Sequence, residues 1–138
     1  MIGEYCHTID AKGRLFVPAK LKEELGDTFY VTAGLDYCLS FYTQESWQRM
    51  TDYYKSLPLS QAKELRIFFA NAEKCVPDKQ GRFLLPQKLR NYARLKQNVT
   101  FIGMGDRGEI WDTDAYAAME EKELSPEKIL KAMEDLGL

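Results

Sequence analysis

Cationic residues recur at matching places in a thirteen-residue stretch that the chain contains twice. Residues 10–22 read DAKGRLFVPAKLK and residues 78–90 read DKQGRFLLPQKLR, with a spacing of 68 residues. The cations around the matching glycines are Lys12 and Arg14 in the first copy and Lys79 and Arg82 in the second. An exposed guanidinium can hold a phosphate or read the O6/N7 edge of guanine. The pattern therefore favours contact with nucleic acid at two equivalent turns.

A purely structural role for the arginines competes with this interpretation. Asp favours the first position of a type I turn and Gly the fourth, so Asp10 and Gly13 predict a turn before Arg14. Arg14 could then pair with Asp10, and Arg82 with Asp78, only to hold each turn closed. Both interpretations remain open from the residues alone.

The elements around the repeated stretch follow one plan in both halves. Each motif reads as strand, turn and strand, and Pro18 and Pro86 then end the strand and open a short helix. Apolar residues four apart give these helices a buried stripe, which consists of Leu21 with Leu25 and Leu89 with Ala93. Two further strands and a helix follow in each half. The plan is β-β-α-β-β-α, repeated.

Helix boundaries are marked by capping residues. Thr43 and Asp112 are expected N-caps for the last helix of each half, and Gly26 is expected to end the first helix. A linking helix is expected to begin at Ser60, with a buried face that contains Leu65, Phe68 and Phe69. Ser125 and Pro126 open a short amphipathic tail helix.

These signals divide the chain into four parts. The first repeat spans residues 1–56, the linking helix 57–73, the second repeat 74–119, and an acidic helical tail 120–138. A unit of about 60 residues buries too little surface to be comfortably stable alone, so the two halves are expected to share one core.

Composition places the chain among globular proteins of a reducing compartment. Hydrophobic residues make up 45% of it, and no apolar run approaches the roughly 18 residues that a membrane helix needs. The N-terminus lacks the pattern of a secretory signal, so a cytoplasmic location is expected. Cys6, Cys38 and Cys75 are odd in number and far apart, and they are expected to be free, buried thiols.

Charge is distributed unevenly along the chain. The net charge is −2, but residues 112–138 hold eight acidic residues and three lysines, a net of −5, which leaves residues 1–111 with +3. An acidic tail thus masks a mildly basic body. The overall charge does not exclude DNA binding, because a local basic patch sets the field that phosphates meet.

Other chemistry finds little support. The GMGDRG stretch at residues 103–108 resembles a dinucleotide-binding motif, but a strand-like segment follows it where that site needs a helix. His7, the only histidine, lies beside Cys6 on opposite faces of a strand, which suits neither a zinc site nor a nucleophilic pair. No acid/base couple stands out. We therefore expect no enzyme activity, no metal and no cofactor.

The motifs resemble a known family. The pattern D-x-x-G-R-x-x-x-P-x-x-L-[KR] resembles the SpoVT/AbrB-like DNA-binding domain. Two copies, together with the segments GEYCHTIDAKGR, FFANAEKC and IGMGDRGEIWD, are similar to the MraZ family of bacterial transcriptional regulators over residues 1 to 119.

The resemblance implies an α+β fold in which the tandem repeats form one swapped-hairpin, AbrB-like β-barrel with peripheral helices. It implies a ring-shaped homo-oligomer, associated with the nucleoid, that binds repeated double-stranded DNA elements. It also implies repression of the protein's own division and cell-wall operon. A protein-interaction module, as in related antitoxins, is the alternative.

Residues of the family's basic hairpin fall on Lys12, Arg14, Lys79 and Arg82. Secondary DNA contacts are expected at His7, Lys22 and Arg90. Lys22 departs from the arginine that Arg90 supplies in the second copy, and Gln80 stands where the first copy has Lys12. Because the second copy lacks the lysine that the first copy has at this position of the turn, the first copy is expected to be the better DNA reader.

Overall fold

Eight strands and seven α-helices make up the computed structural model, which describes residues 1–138. The strands are β1 Glu4–Thr8, β2 Arg14–Phe16, β3 Phe29–Ala33, β4 Leu39–Thr43, β5 Glu73–Cys75, β6 Arg82–Leu84, β7 Asn98–Gly103 and β8 Arg107–Asp112. The helices are α1 Lys22–Leu25, α2 Gln44–Ser56, α3 Leu59–Ala62, α4 Arg66–Ala70, α5 Gln87–Tyr92, α6 Thr113–Glu123 and α7 Pro126–Asp135. The element order confirms the repeated β-β-α-β-β-α plan.

Strands from the two repeats are exchanged within one antiparallel sheet. Its order is β1-β7-β8-β4-β3-β5, so the first strand of each repeat pairs with the third strand of the other. Strands β2 and β6 pair separately as a two-stranded ribbon, also antiparallel and also between repeats. The mixed α+β class is confirmed.

The strand, turn and strand expected in each motif are present, but the two strands of one motif do not pair with each other. Only the turn is closed locally, since Asp10 N donates to Arg14 O and Gly13 N donates to Asp10 O. Past it, β1 pairs with β7 while β2 pairs with β6. Pairing with the other repeat joins the core strands of both halves, which a local hairpin would not do.

Capping residues set the long helices as expected. The Thr43 side chain accepts a hydrogen bond from Ser46 N, and the Asp112 side chain accepts one from Ala115 N. Ser125 caps α7 in the same way, with Pro126 in the first turn. Gly26, at φ +68°, ends α1. Each of these N-caps satisfies a backbone N–H that the helix start leaves free.

The linking segment differs from the single helix that the sequence predicts. It is broken into α3, a 3-10 turn at Lys63–Leu65, and α4. Pro58 occupies the N-cap position of α3, so Ser60 lies inside the first turn and the predicted Ser60 cap is wrong. Phe68 and Phe69 are partly buried against Trp47, but Leu65 remains 39% exposed.

One hydrophobic core joins both repeats. Phe29 and Leu15 from the first repeat and Phe83 and Phe101 from the second are buried in the same cluster of 17 residues. This confirms that the halves share a core. None of the helices combines the length and apolar character that crossing a membrane requires.

Neighbouring residues of β2 provide a test of this packing. Leu15 is 1% exposed in the shared core, and Phe16 is 49% exposed on the opposite face of the same strand. Leu15→Ala is expected to lower the free energy of unfolding by about 2–5 kcal/mol. Phe16→Ala is the matched control and should cost at most about 1 kcal/mol. Urea denaturation followed by circular dichroism measures both; equal losses would contradict the placement of the core.

Candidate nucleic-acid interface

The first turn, residues 10–13, is organised by one carboxylate. Asp10 Oδ1 accepts hydrogen bonds from the backbone N–H groups of Lys12 and Arg14, both at 2.9 Å. Its Oδ2 accepts from Arg14 Nε at 2.7 Å. The carboxylate therefore fixes both the turn and the root of the arginine side chain.

The second turn, residues 78–81, repeats this arrangement. Asp78 Oδ1 accepts from the backbone N–H groups of Gln80 and Arg82 at 2.9 Å, and its Oδ2 accepts from Arg82 Nε at 3.0 Å. The two copies of the motif thus form two equivalent clamps, Asp10 with Arg14 and Asp78 with Arg82.

The clamp uses only one edge of each guanidinium. No hydrogen bond within the chain engages the Nη groups of Arg14 or Arg82, whose side chains are 37% and 28% exposed. Those Nη groups can donate to an incoming acceptor in the planar, two-pronged geometry that suits phosphate and guanine. Holding the turn and binding a ligand are therefore compatible roles for one arginine.

Both carboxylates are kept ionised by these contacts. The N–H of Arg14 is the largest cause that lowers the pKa of Asp10 to about 2, helped by the Arg14 side chain and the N–H of Lys12. The pKa of Asp78 is lowered by the equivalent contacts with Arg82. At neutral pH both clamps are closed.

Long cations of each repeat lie against the turn of the other repeat. A β-carbon placed on Gly13 would be 2.7 Å from Arg90 Cζ, and one placed on Gly81 would be 2.9 Å from Lys22 Nζ. Arg90 is held there by its Nε, which donates to Leu85 O at 2.9 Å. The structure therefore brings Arg90 to the first turn and Lys22 to the second, an exchange that the sequence does not reveal.

The lysine side chains of the two turns, Lys12 and Lys79, are exposed and form no ion pairs within the chain. The first turn thus gathers Lys12, Arg14 and Arg90. The second gathers Lys79, Arg82 and Lys22.

His7 has a different environment from these cations. Its ring is partly buried and packs edge-on against Phe101, with 5.7 Å between ring centroids. Burial lowers the pKa of His7, so the imidazole is neutral at pH 7. It can offer a hydrogen bond but no positive charge to a phosphate.

The face of the β2–β6 ribbon was missed by sequence reasoning. Arg14 lies opposite Leu84 and Phe16 lies opposite Arg82, and both apolar side chains are exposed. The alternation in RLF and RFL would have shown it, because residues two apart in a strand share a face.

Other candidate sites lack the needed geometry. Residues 104–106 form the turn between β7 and β8, so no helix N-terminus follows the glycines of GMGDRG. No group of three or more His, Cys, Asp and Glu side chains is arranged to hold a metal ion. Cys38 and Cys75 are buried as expected, but that expectation is wrong for Cys6, which lies on the outward face of β1.

Comparison with known proteins gives consistent matches along the chain. The family model described as "MraZ protein, putative antitoxin-like" matches twice, at residues 1–67 and 68–136. The chain is similar to the transcriptional regulator MraZ of Caldicellulosiruptor saccharolyticus, at 46% identity across 100% of this chain and 99% of the relative. It is similar to proteins of the same name from Halothermothrix orenii, at 42% across 99% of each chain, and from Carboxydothermus hydrogenoformans, at 48% across 83% and 82%.

Acid titration should report on the first clamp. The folded-state pKa of Asp10 is about 2, below its ordinary value of 3.8, so its contribution to stability is complete above pH 4 and is lost as the pH falls towards 2. The difference in unfolding midpoint between the wild type and Asp10→Asn should be constant from pH 7 to 5. It should shrink between pH 4 and 2. A difference that changes between pH 7 and 5 would contradict the assigned pKa.

Two glycines with the same backbone separate strain from crowding. Gly13 and Gly105 have φ of +86° and +83°, but only Gly13 has a neighbour within 4 Å of an added β-carbon. Gly105→Ala should therefore lose about 1–2 kcal/mol of unfolding free energy from the left-handed backbone alone. Gly13→Ala should lose at least as much, because it also displaces the Arg90 guanidinium. Chemical denaturation measures both, and a smaller loss at Gly13 would contradict the close contact.

Proposed function

Because the chain belongs to the MraZ family, we propose that it is a transcriptional regulator that binds double-stranded DNA through its two cationic turns. The observation that carries the proposal is the one-edged clamp on Arg14 and Arg82. Each guanidinium is oriented by a hydrogen bond from its Nε to an aspartate and still offers unused donors to a ligand. Preorganised donors lose little conformational entropy when they bind.

Cations of each cluster have distinct roles in this proposal. Arg14 and Arg82 read base edges, with guanine as the preferred partner of the two-pronged contact. Lys12 and Lys79 bind phosphates, because a flexible ammonium supplies charge without planar geometry. Arg90 and Lys22 add positive charge beside the first and the second turn.

In this proposal the first turn binds DNA more strongly than the second turn. It is next to two guanidiniums, Arg14 and Arg90, whereas the second has Arg82 and the ammonium of Lys22. His7, neutral and partly buried, contributes at most a hydrogen bond.

Architecture and assembly are also part of the proposal. The exchange of strands between repeats supports a swapped-hairpin barrel built from residues 1–56 and 74–119, with 57–73 as a link and 120–138 as a tail. Several copies assemble into a ring and engage repeated elements upstream of the division and cell-wall operon, which the protein represses. Tethered copies gain affinity through effective concentration.

A protein-interaction role is the second candidate, and the tail favours it. Helix α7 exposes an apolar face to solvent that includes Ile129, Leu130 and Met133. Such a face suits an amphipathic contact with a partner protein. Salt separates the two roles, because DNA binding releases counterions and weakens steeply with salt.

Substitutions in the first turn test the DNA role. Arg14→Ala should weaken binding to duplex DNA from upstream of the protein's own gene by about 1–3 kcal/mol and relax the preference at one base. Lys12→Ala should weaken all sequences alike and lower the slope of log K against log salt by about 1. Fluorescence anisotropy titrations at several salt concentrations measure both effects.

Arg49→Ala is the matched control, because Arg49 is an exposed arginine that pairs with Asp106 rather than with either turn. It should leave the affinity unchanged. If the Lys12/Arg14 double alanine variant keeps full affinity and a native circular dichroism spectrum, the first turn does not bind DNA.

A further inference from the structure

Two large apolar side chains lie on the outer face of the β2–β6 ribbon, where the fold does not need them. Phe16 is 49% exposed and Leu84 is 56% exposed. The core residues of the ribbon, Leu15 and Phe83, face the other way and are buried. Phe16 and Leu84 therefore contribute little to the core, and a contact with a ligand would explain their type.

Register places each of them opposite one of the clamped arginines. Leu84 pairs with Arg14, and Phe16 pairs with Arg82. Because alternate residues of a strand share a face, these four side chains form one surface with two apolar and two cationic members. The pseudo-twofold relation between the repeats relates the two halves of this surface.

The ribbon is long enough to span a DNA groove. Leu85 N donates to Gly13 O and Val17 N donates to Gly81 O, both at 2.9 Å, so pairing continues to the glycines of both turns. From Gly13 to Val17 a strand covers about 14 Å at about 3.4 Å per residue. The major groove of B-DNA is about 12 Å wide and admits a two-stranded ribbon.

The positive charge around Phe16 and Leu84 indicates which kind of partner binds this surface. Cations of both turns flank the apolar pair, and only Arg14 and Arg82 among them form ion pairs within the chain. An apolar protein partner would have to desolvate this cationic rim, whereas duplex DNA meets it with phosphates. The 5-methyl group of thymine is the apolar group that base pairs present in the major groove.

We infer that Phe16 and Leu84 bind thymine methyl groups in the major groove, between phosphate contacts made by the two turns. This inference rests on the proposed DNA binding and adds a second kind of base selection to it. Arginine selects guanine through donors, and the apolar pair selects thymine over cytosine through burial of a methyl group. Burial of one methyl group corresponds to about a fourfold gain in affinity.

Replacing thymine with uracil tests the inference, because deoxyuridine lacks only the 5-methyl group. A duplex that the wild-type protein selects from random-sequence DNA is resynthesised with each thymine replaced in turn. At least one replacement should weaken wild-type binding about fourfold. Phe16→Ala or Leu84→Ala should bind the unmodified duplex more weakly and lose the penalty at its own thymine.

Tyr53→Ala is the control, since Tyr53 is exposed on α2, outside the ribbon, and should keep the full uracil penalty. Equal wild-type affinity for every uracil duplex overturns the inference and leaves DNA binding intact. The inference is also overturned if both ribbon variants keep the same uracil penalty as the wild type. If they keep that penalty and their oligomer size changes, the face is a contact between copies of the chain. Failure of the wild-type protein to bind any duplex overturns the proposed function itself.

Discussion

Antiparallel pairing of β2 with β6 joins the two repeats directly at their cationic turns. Each strand has only three residues and follows a turn that its own aspartate closes. Pairing between the repeats places the two turns at opposite ends of one ribbon and turns Leu15 and Phe83 into the core. Without this pairing the motif would be two unrelated loops.

Aromatic packing beneath the ribbon connects it to the large sheet. Phe83 contacts Phe29 edge-on at 5.0 Å between centroids and Phe101 at 6.3 Å. Phe29 lies in β3 of the first repeat and Phe101 in β7 of the second, so the ring of Phe83 touches both halves. Close-packed aromatic contacts of this kind transmit position as well as stability. The orientation of each turn therefore depends on core residues of both repeats.

Local signals predicted local structure well. The turn residues Asp10 and Gly13 and the helix caps Thr43 and Asp112 act within three or four residues, and the structure confirms all of them. Ser60 misled because Pro58, with its fixed φ, already held the start of that helix. The strand exchange and the approach of Arg90 to Gly13 depend on residues far apart in the chain, so no local pattern contains them. The outward position of Phe16 could be predicted from the alternation of side chains along the strand, yet only the register shows that it faces Arg82.

The crossing of Arg90 and Lys22 to the opposite turns makes the two ends of the ribbon unequal. Both ends are assembled from both repeats, so a substitution in one copy of the motif alters the chemistry at the other copy's turn. Two unlike ends also give the surface a direction. The side chains of the ribbon therefore lack the symmetry that its backbone pairing has.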